Sequence, residues 1–131
     1  MRFIVSSALL CLLVTACDER QYREYKNVEA IHADGAFVRG WFPDWMPDAA
    51  VDIHEHHDLD TNNQAISFRI SGNAAFDWPT ICTPSSRPTE PRLKTKRFPQ
   101  RVHELDGVRN CRDYFIVQAP NGSIHMWTTA Q

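Results

Sequence analysis

Val51-Asp52-Ile53-His54-Glu55-His56-His57-Asp58-Leu59, then Asp60-Thr61-Asn62-Asn63, and after Gln64 the run Ala65-Ile66-Ser67-Phe68-Arg69-Ile70, form the stretch that decides the fold. Its first part alternates with period two. Val51, Ile53, Glu55, His57 and Leu59 fall on one face, and Asp52, His54, His56 and Asp58 on the other. Strand side chains point alternately to opposite sides, so this is the pattern of a half-buried strand. Asp60 to Asn63 is dense in residues whose short polar side chains bond their own backbone in turns. Ile66, Phe68 and Ile70 then alternate inward again, and the whole predicts a β-hairpin.

Working outward toward the N-terminus, Gly40-Trp41-Phe42-Pro43-Asp44-Trp45-Met46-Pro47 joins large apolar side chains to two prolines. Each proline biases its predecessor out of the helical region, so Asp44-Trp45-Met46 reads as a turn. Before it, Asn27 to Gly35 predicts one short helix, with Asn27 as N-cap and Gly35 as the stop. Residues 18–26 are polar and charged and read as a tether.

Toward the C-terminus, Phe76 and Trp78 are expected to enter the core on a helical turn, and Thr83 to Pro91, with its prolines, serines and threonines, reads as a mobile loop. Cys111 to Ala119 reads as a strand with Tyr114 and Ile116 on one face and Phe115 and Val117 on the other. Pro120-Asn121-Gly122-Ser123 is a turn, and Ile124 to Thr128 returns as the partner strand. Asn-Gly between two such runs is a strong hairpin signal. These elements predict an α+β fold: a small antiparallel sheet of two or more hairpins with one N-terminal helix and one disulfide.

The chain opens on Met1-Arg2, an apolar run from Phe3 to Val14, and Val14-Thr15-Ala16-Cys17. The run has the length of a signal-peptide core and is too short to span a bilayer. Val14-Thr15-Ala16-Cys17 resembles the lipobox of bacterial lipoproteins. That resemblance implies cleavage before Cys17, diacylation of its thiol (palmitate being a typical chain) and a domain facing the periplasm. It also implies that Asp18, the next residue, favours retention in the inner membrane. The expected organisation is therefore a signal peptide at 1–16, lipidated Cys17 and tether at 17–26, and one domain at 27–131.

Removal of the signal peptide leaves about 115 residues, enough for one modest core. Residues 18–60 carry eleven acids against four bases, and residues 61–131 five against nine. The formal charge of −2, with both signs present, argues against nucleic acid as a partner. With Cys11 removed and Cys17 acylated, Cys82 and Cys111 remain, and two thiols in an oxidising compartment most often pair. Their separation is unlike that of a redox Cys-x-x-Cys pair.

Three chemistries come into question. His54 and His56, at i and i+2, share a strand face and can hold zinc or copper with a third ligand from His125 or His32. His-x-His is equally the pattern of a solvated polar strand face. Asp58-Leu59-Asp60-Thr61-Asn62 matches the first oxygen ligands of a calcium loop, but Asn63 stands where glycine is needed and Arg69 where the bidentate glutamate belongs. A hydrolase is disfavoured, because the chain has no Gly-x-Ser-x-Gly, no cysteine left to pair with histidine and too few glycines for a phosphate loop. The expectation is a protein that is not an enzyme and needs no cofactor.

Trp41, Trp45 and Met46, fringed by Glu55, His57 and Asp60, have the mixture of apolar anchors and polar rim found at interface hot spots. The stretch Gly40 to Asn62 as a whole resembles a pattern in small bacterial envelope proteins with no assigned activity, and implies no mechanism. The reading is a membrane-anchored module that binds an envelope protein or another envelope component, with a metal-binding periplasmic module as the alternative.

Overall fold

A computed structural model describes residues 19–72 and 75–129. Cys17 and Asp18 lie outside the described residues. The chain forms one seven-stranded antiparallel sheet in the order β1-β2-β3-β7-β6-β5-β4. The strands are β1 (Arg20–Asn27), β2 (Ala50–Asp58), β3 (Asn63–Ile70), β4 (Cys82–Pro84), β5 (Arg109–Cys111), β6 (Tyr114–Gln118) and β7 (Ile124–Thr128). Among the described residues one α-helix, α1 (Val28–Asp34), follows β1, and a short 3-10 turn covers Val102–Glu104.

This corrects the α+β expectation. Among the described residues the protein is mostly a seven-stranded antiparallel sheet, and the one helix there is a seven-residue connector. Much of the difference lies in residues 20–26, expected as a tether, which belong to edge strand β1. Only Tyr25 of that strand is buried, and its other positions carry Arg, Glu, Lys, Gln, Asn and Tyr. Charged edge strands are how sheets avoid pairing with other chains, and the same charges hide the strand in a polarity reading. The remaining additions are short. The expected strand from Cys111 breaks at Arg112, where φ is +55°, into β5 and β6. No helical turn precedes Trp78 among residues 75–79, although Phe76 is buried as expected.

Apolar side chains pack on both faces of the sheet. On one, Ile53, Ile66, Phe68, Ile116, Ile124 and Met126 pack beneath Val28 and Ile31 of α1 and beneath Phe42, Met46 and Phe76. On the other, Val117, Phe115 and Trp127 pack against Val102 and Val108, with Phe98 and Leu105 at the margin. Apolar residues on alternating faces of β6 thus serve two cores. The loop expected to be mobile is strapped across the second face: the Trp127 indole N–H donates to the Thr89 carbonyl at 2.8 Å, and Pro91 and Leu93 are buried. Cys82 and Cys111, directly opposite in the β4–β5 register, are joined as expected.

α1 has both expected caps. The Asn27 side chain accepts from the Ala30 amide at 2.9 Å, and Gly35 closes the helix at φ +73°. A lone two-turn helix is marginal by propensity, so its ends matter. Asn27→Ala should lower stability by about 1 kcal/mol in urea unfolding, with little change in the slope of the transition.

A bulge interrupts β2. Asp52 sits at φ +51°, and the pairing register with β3 shifts between Val51 and His54. The shift removes Val51 from the face on which simple alternation places it. Beyond the bulge the parity is as read: Ile53, Glu55 and His57 turn inward, and His54 and His56 lie on the opposite face.

Candidate functional site

The inner face of β2 carries polar side chains into the core. Glu55 is fully buried, between Arg23 of β1 and Ile66 of β3 in the sheet register. His57, opposite Gln64, is buried as well. Gln64 is the hub of this row. Its amide nitrogen donates to Glu55 Oε1 at 2.9 Å and to the Trp41 carbonyl at 2.7 Å, and its oxygen accepts from the Tyr114 hydroxyl. His57 Nε2 lies 3.0 Å from Asn62 Oδ1, which requires the proton on Nε2, and His57 Nδ1 faces Glu55 Oε1 at 3.5 Å. Glu55 Oε2 and His57 Nδ1 are buried with no hydrogen-bond partner among the described residues.

Burial dominates the electrostatics of the row. It pushes the Glu55 carboxyl up to about 7, although the Gln64 hydrogen bond and the Arg23 charge pull the other way. It also raises the Tyr114 hydroxyl above its ordinary range, helped by the charges of Glu55 and Asp113. Arg23 is held over the Trp41 ring at 4.4 Å from its centroid, and Arg39 at 4.2 Å. These cation–π contacts roof the row.

The row ends in a cleft of about 300 Å³ lined by Thr61, Asn62, Gln64, Arg92, Asp113 and Tyr114, among others. Beside it lies a depression of about 180 Å³ lined by Asp44, Trp45 and Arg112, sharing Gly40, Asp113 and Tyr114 with the cleft. Trp45 stands edge-on to Tyr114, with centroids 6.0 Å apart. The result is a polar recess whose walls carry charges of both signs, with an aromatic side chain at its flank. Such a surface can hydrogen-bond a polar ligand and stack against it.

The sequence-predicted residues divide between this recess and the interior. Trp41 and Trp45 are half-buried, and Asp60 is exposed in the β2–β3 turn. Met46, Glu55 and His57, expected at a binding surface, are buried and out of a partner's reach. Asp58 Oδ1 accepts from the amides of Asp60 and Thr61, which makes the would-be calcium loop an Asx-type turn.

His54 and His56 lie on the far face. His54 Nδ1 is 2.8 Å from the Tyr22 hydroxyl and 3.4 Å from Glu24 Oε1, and its Nε2 is 3.0 Å from Asp52 Oδ1. His125 is separated from His54 by Ser67 of β3, two strand spacings or about 10 Å away. His32 packs against Phe37, which belongs to the inner face. Among the described residues no group of three or more His, Cys, Asp or Glu comes together to hold a metal ion.

A pairing that sequence spacing did not reveal is Ser67 Oγ with His125 Nδ1, at 2.9 Å. Both are buried, and Phe98 stands edge-on to the imidazole at 5.1 Å. Burial lowers the His125 pKa to about 4. The pair has nucleophile–base contact, and both residues are buried beside the second core, where Phe98 covers the imidazole.

Residues 19–69 match a family model described as the YbbD head domain. The match runs from the start of β1 almost to the end of β3. It contains Arg23, Trp41, Glu55, His57 and Gln64, and stops short of Tyr114 and of the strands that carry the disulfide. No curated protein and no solved structure matches the chain.

Proposed function

We propose that this chain is a lipoprotein of the bacterial envelope, anchored through Cys17 with its domain facing the periplasm, and that the domain is a binding module for an envelope protein or another envelope component. The observation that carries the anchor is Val14-Thr15-Ala16-Cys17 at the end of an apolar run, with β1 beginning at Arg20. The Cys82–Cys111 bridge supports an oxidising compartment, and the match to the YbbD head domain is consistent with an envelope role. Asp18 favours the inner membrane in this reading.

Binding is supported over catalysis by the kind of site on offer. The recess beside Trp45 and Tyr114 is a polar cleft, whereas Glu55 and the Ser67–His125 pair are buried. Catalysis needs its acid, base or nucleophile within reach of a substrate.

Metabolic labelling with a fatty-acid analogue tests the anchor. Wild-type protein should carry the label and Cys17→Ser should not, and equal labelling of both ends the proposal. A photocrosslinking residue at position 45 tests the module. A discrete adduct is expected in cells, and a protein that yields none while fully folded speaks against a binding site there.

A further inference from the structure

We infer that the end of the sheet formed by the β2–β3 turn rests on the headgroup layer of the membrane that anchors the chain, with Leu59 as its contact residue. This rests on the lipoprotein reading above and adds an orientation and a partner surface to it.

Chain length sets the constraint. Cys17 precedes Arg20, the first residue of β1, by three positions. Fully extended, three residues reach at most about 11 Å. Arg20 pairs with Asp58, and the Leu59 amide donates to the Glu19 carbonyl at 3.1 Å. The start of β1 is therefore fastened to the β2–β3 turn, and acyl chains on Cys17 hold that turn within roughly one headgroup layer of the bilayer. A long tether would leave the domain free to tumble, but this chain has no room for one.

The turn has the side chains for such a seat. Leu59 is one of the few large apolar residues exposed on the domain, at 42%. Singly exposed leucines are ordinary, and it is the position of this one that matters. Its neighbours keep it shallow. Asp58 turns its carboxylate to the amides of Asp60 and Thr61, and Asp60, Glu19 and Arg20 are exposed and polar. Seated there, the acids lie within a Debye length of a negatively charged surface and oppose the contact, and stable acyl anchoring outweighs them.

The orientation also constrains the recess. Thr61, Asn62 and Asn63 of the same turn line the cleft, together with Thr128 and Thr129 at the end of β7. Its mouth accordingly opens beside the membrane, so that what it binds is presented from the membrane surface. The turn at Asn121 and Gly122 is at the other end of β7, roughly 15–20 Å away by strand rise.

Full-length lipidated protein carrying a fluorophore on Leu59→Cys or on Asn121→Cys can be reconstituted into phosphatidylethanolamine–phosphatidylglycerol vesicles containing headgroup-nitroxide lipid. The label at position 59 should lose the greater part of its emission, the label at position 121 should keep it, and the same labels on Cys17→Ser protein should be unaffected. Fatty-acid labelling of the same preparations separates the two ways of failing. Acylated protein whose label at 59 is no more quenched than that at 121 overturns the orientation and leaves the lipoprotein reading standing, whereas protein that is not acylated overturns both.

Discussion

Glu55→Gln should convert a protein whose stability is nearly flat from pH 4.5 to 6.5 into one that loses about 3 kcal/mol as pH falls from 6.5 to 4. Two buried groups with opposite signs produce the flatness. Glu55 is raised from 4.5 to about 7, so the folded protein holds a proton that the unfolded chain releases. Its contribution is fully present below pH 4.5 and is lost as pH rises through 7. His125 is lowered from 6.5 to about 4, so the folded protein refuses a proton that the unfolded chain takes up. Its contribution is fully present above pH 6.5 and is lost as pH falls through 4. Each shift of about 2.5 units corresponds to roughly 3 kcal/mol, and in the shared window the two slopes cancel. Glutamine cannot titrate, so the variant shows the His125 slope alone. The introduced amide leaves its own group unpartnered where Glu55 Oε2 is now, which costs stability at every pH and does not alter the difference in slope. Urea unfolding of both proteins from pH 4 to 8 checks this, and parallel curves would falsify it.

Glu55 also shows where sequence reasoning succeeds and stops. Its parity on β2 is legible, because alternation is a local property. Its fate is not. The inward face that carries Ile53 is plain from the pattern, yet the same pattern offers Glu55 and His57 as the rim of a surface. Their enclosure depends on Gln64 across the hairpin, Tyr114 from β6 and the Trp41 carbonyl, and no spacing rule brings those together. The same division runs through the fold. The capped helix, the β2–β3 and β6–β7 hairpins and the two faces of β6 are written in short-range signals. β1 is not, because an edge strand needs only one buried side chain and is protected by charges that resemble a linker. The bulge at Asp52 is equally hidden, since a lone non-glycine residue at positive φ leaves no mark in polarity.

Removing the disulfide with Cys82→Ser and Cys111→Ser together should cost about 3–4 kcal/mol. The bridge closes a loop with a sequence separation of 29, and in the chain-entropy model that constraint acts chiefly on the unfolded chain. The native contacts sharpen the expectation. β4 is a three-residue edge strand whose one sheet neighbour among the described residues is β5, itself three residues long. So short a ladder has few hydrogen bonds to hold the loop that runs on toward Thr89 and covers Trp127. Without the bridge, β4 and that loop should open first, uncovering Trp127 of the second core and loosening the margin of the first core where Cys82 and Cys111 pack, while β1, β2 and β3 keep the rest of the first core beneath α1. Hydrogen exchange resolves the two regions. Amides of β4, β5 and the Trp127 indole should lose protection well before those of β2 and β3, and the urea midpoint should fall in proportion. If the double variant instead loses protection uniformly across all seven strands, the bridge stabilises the sheet as one unit and the two cores are not separable.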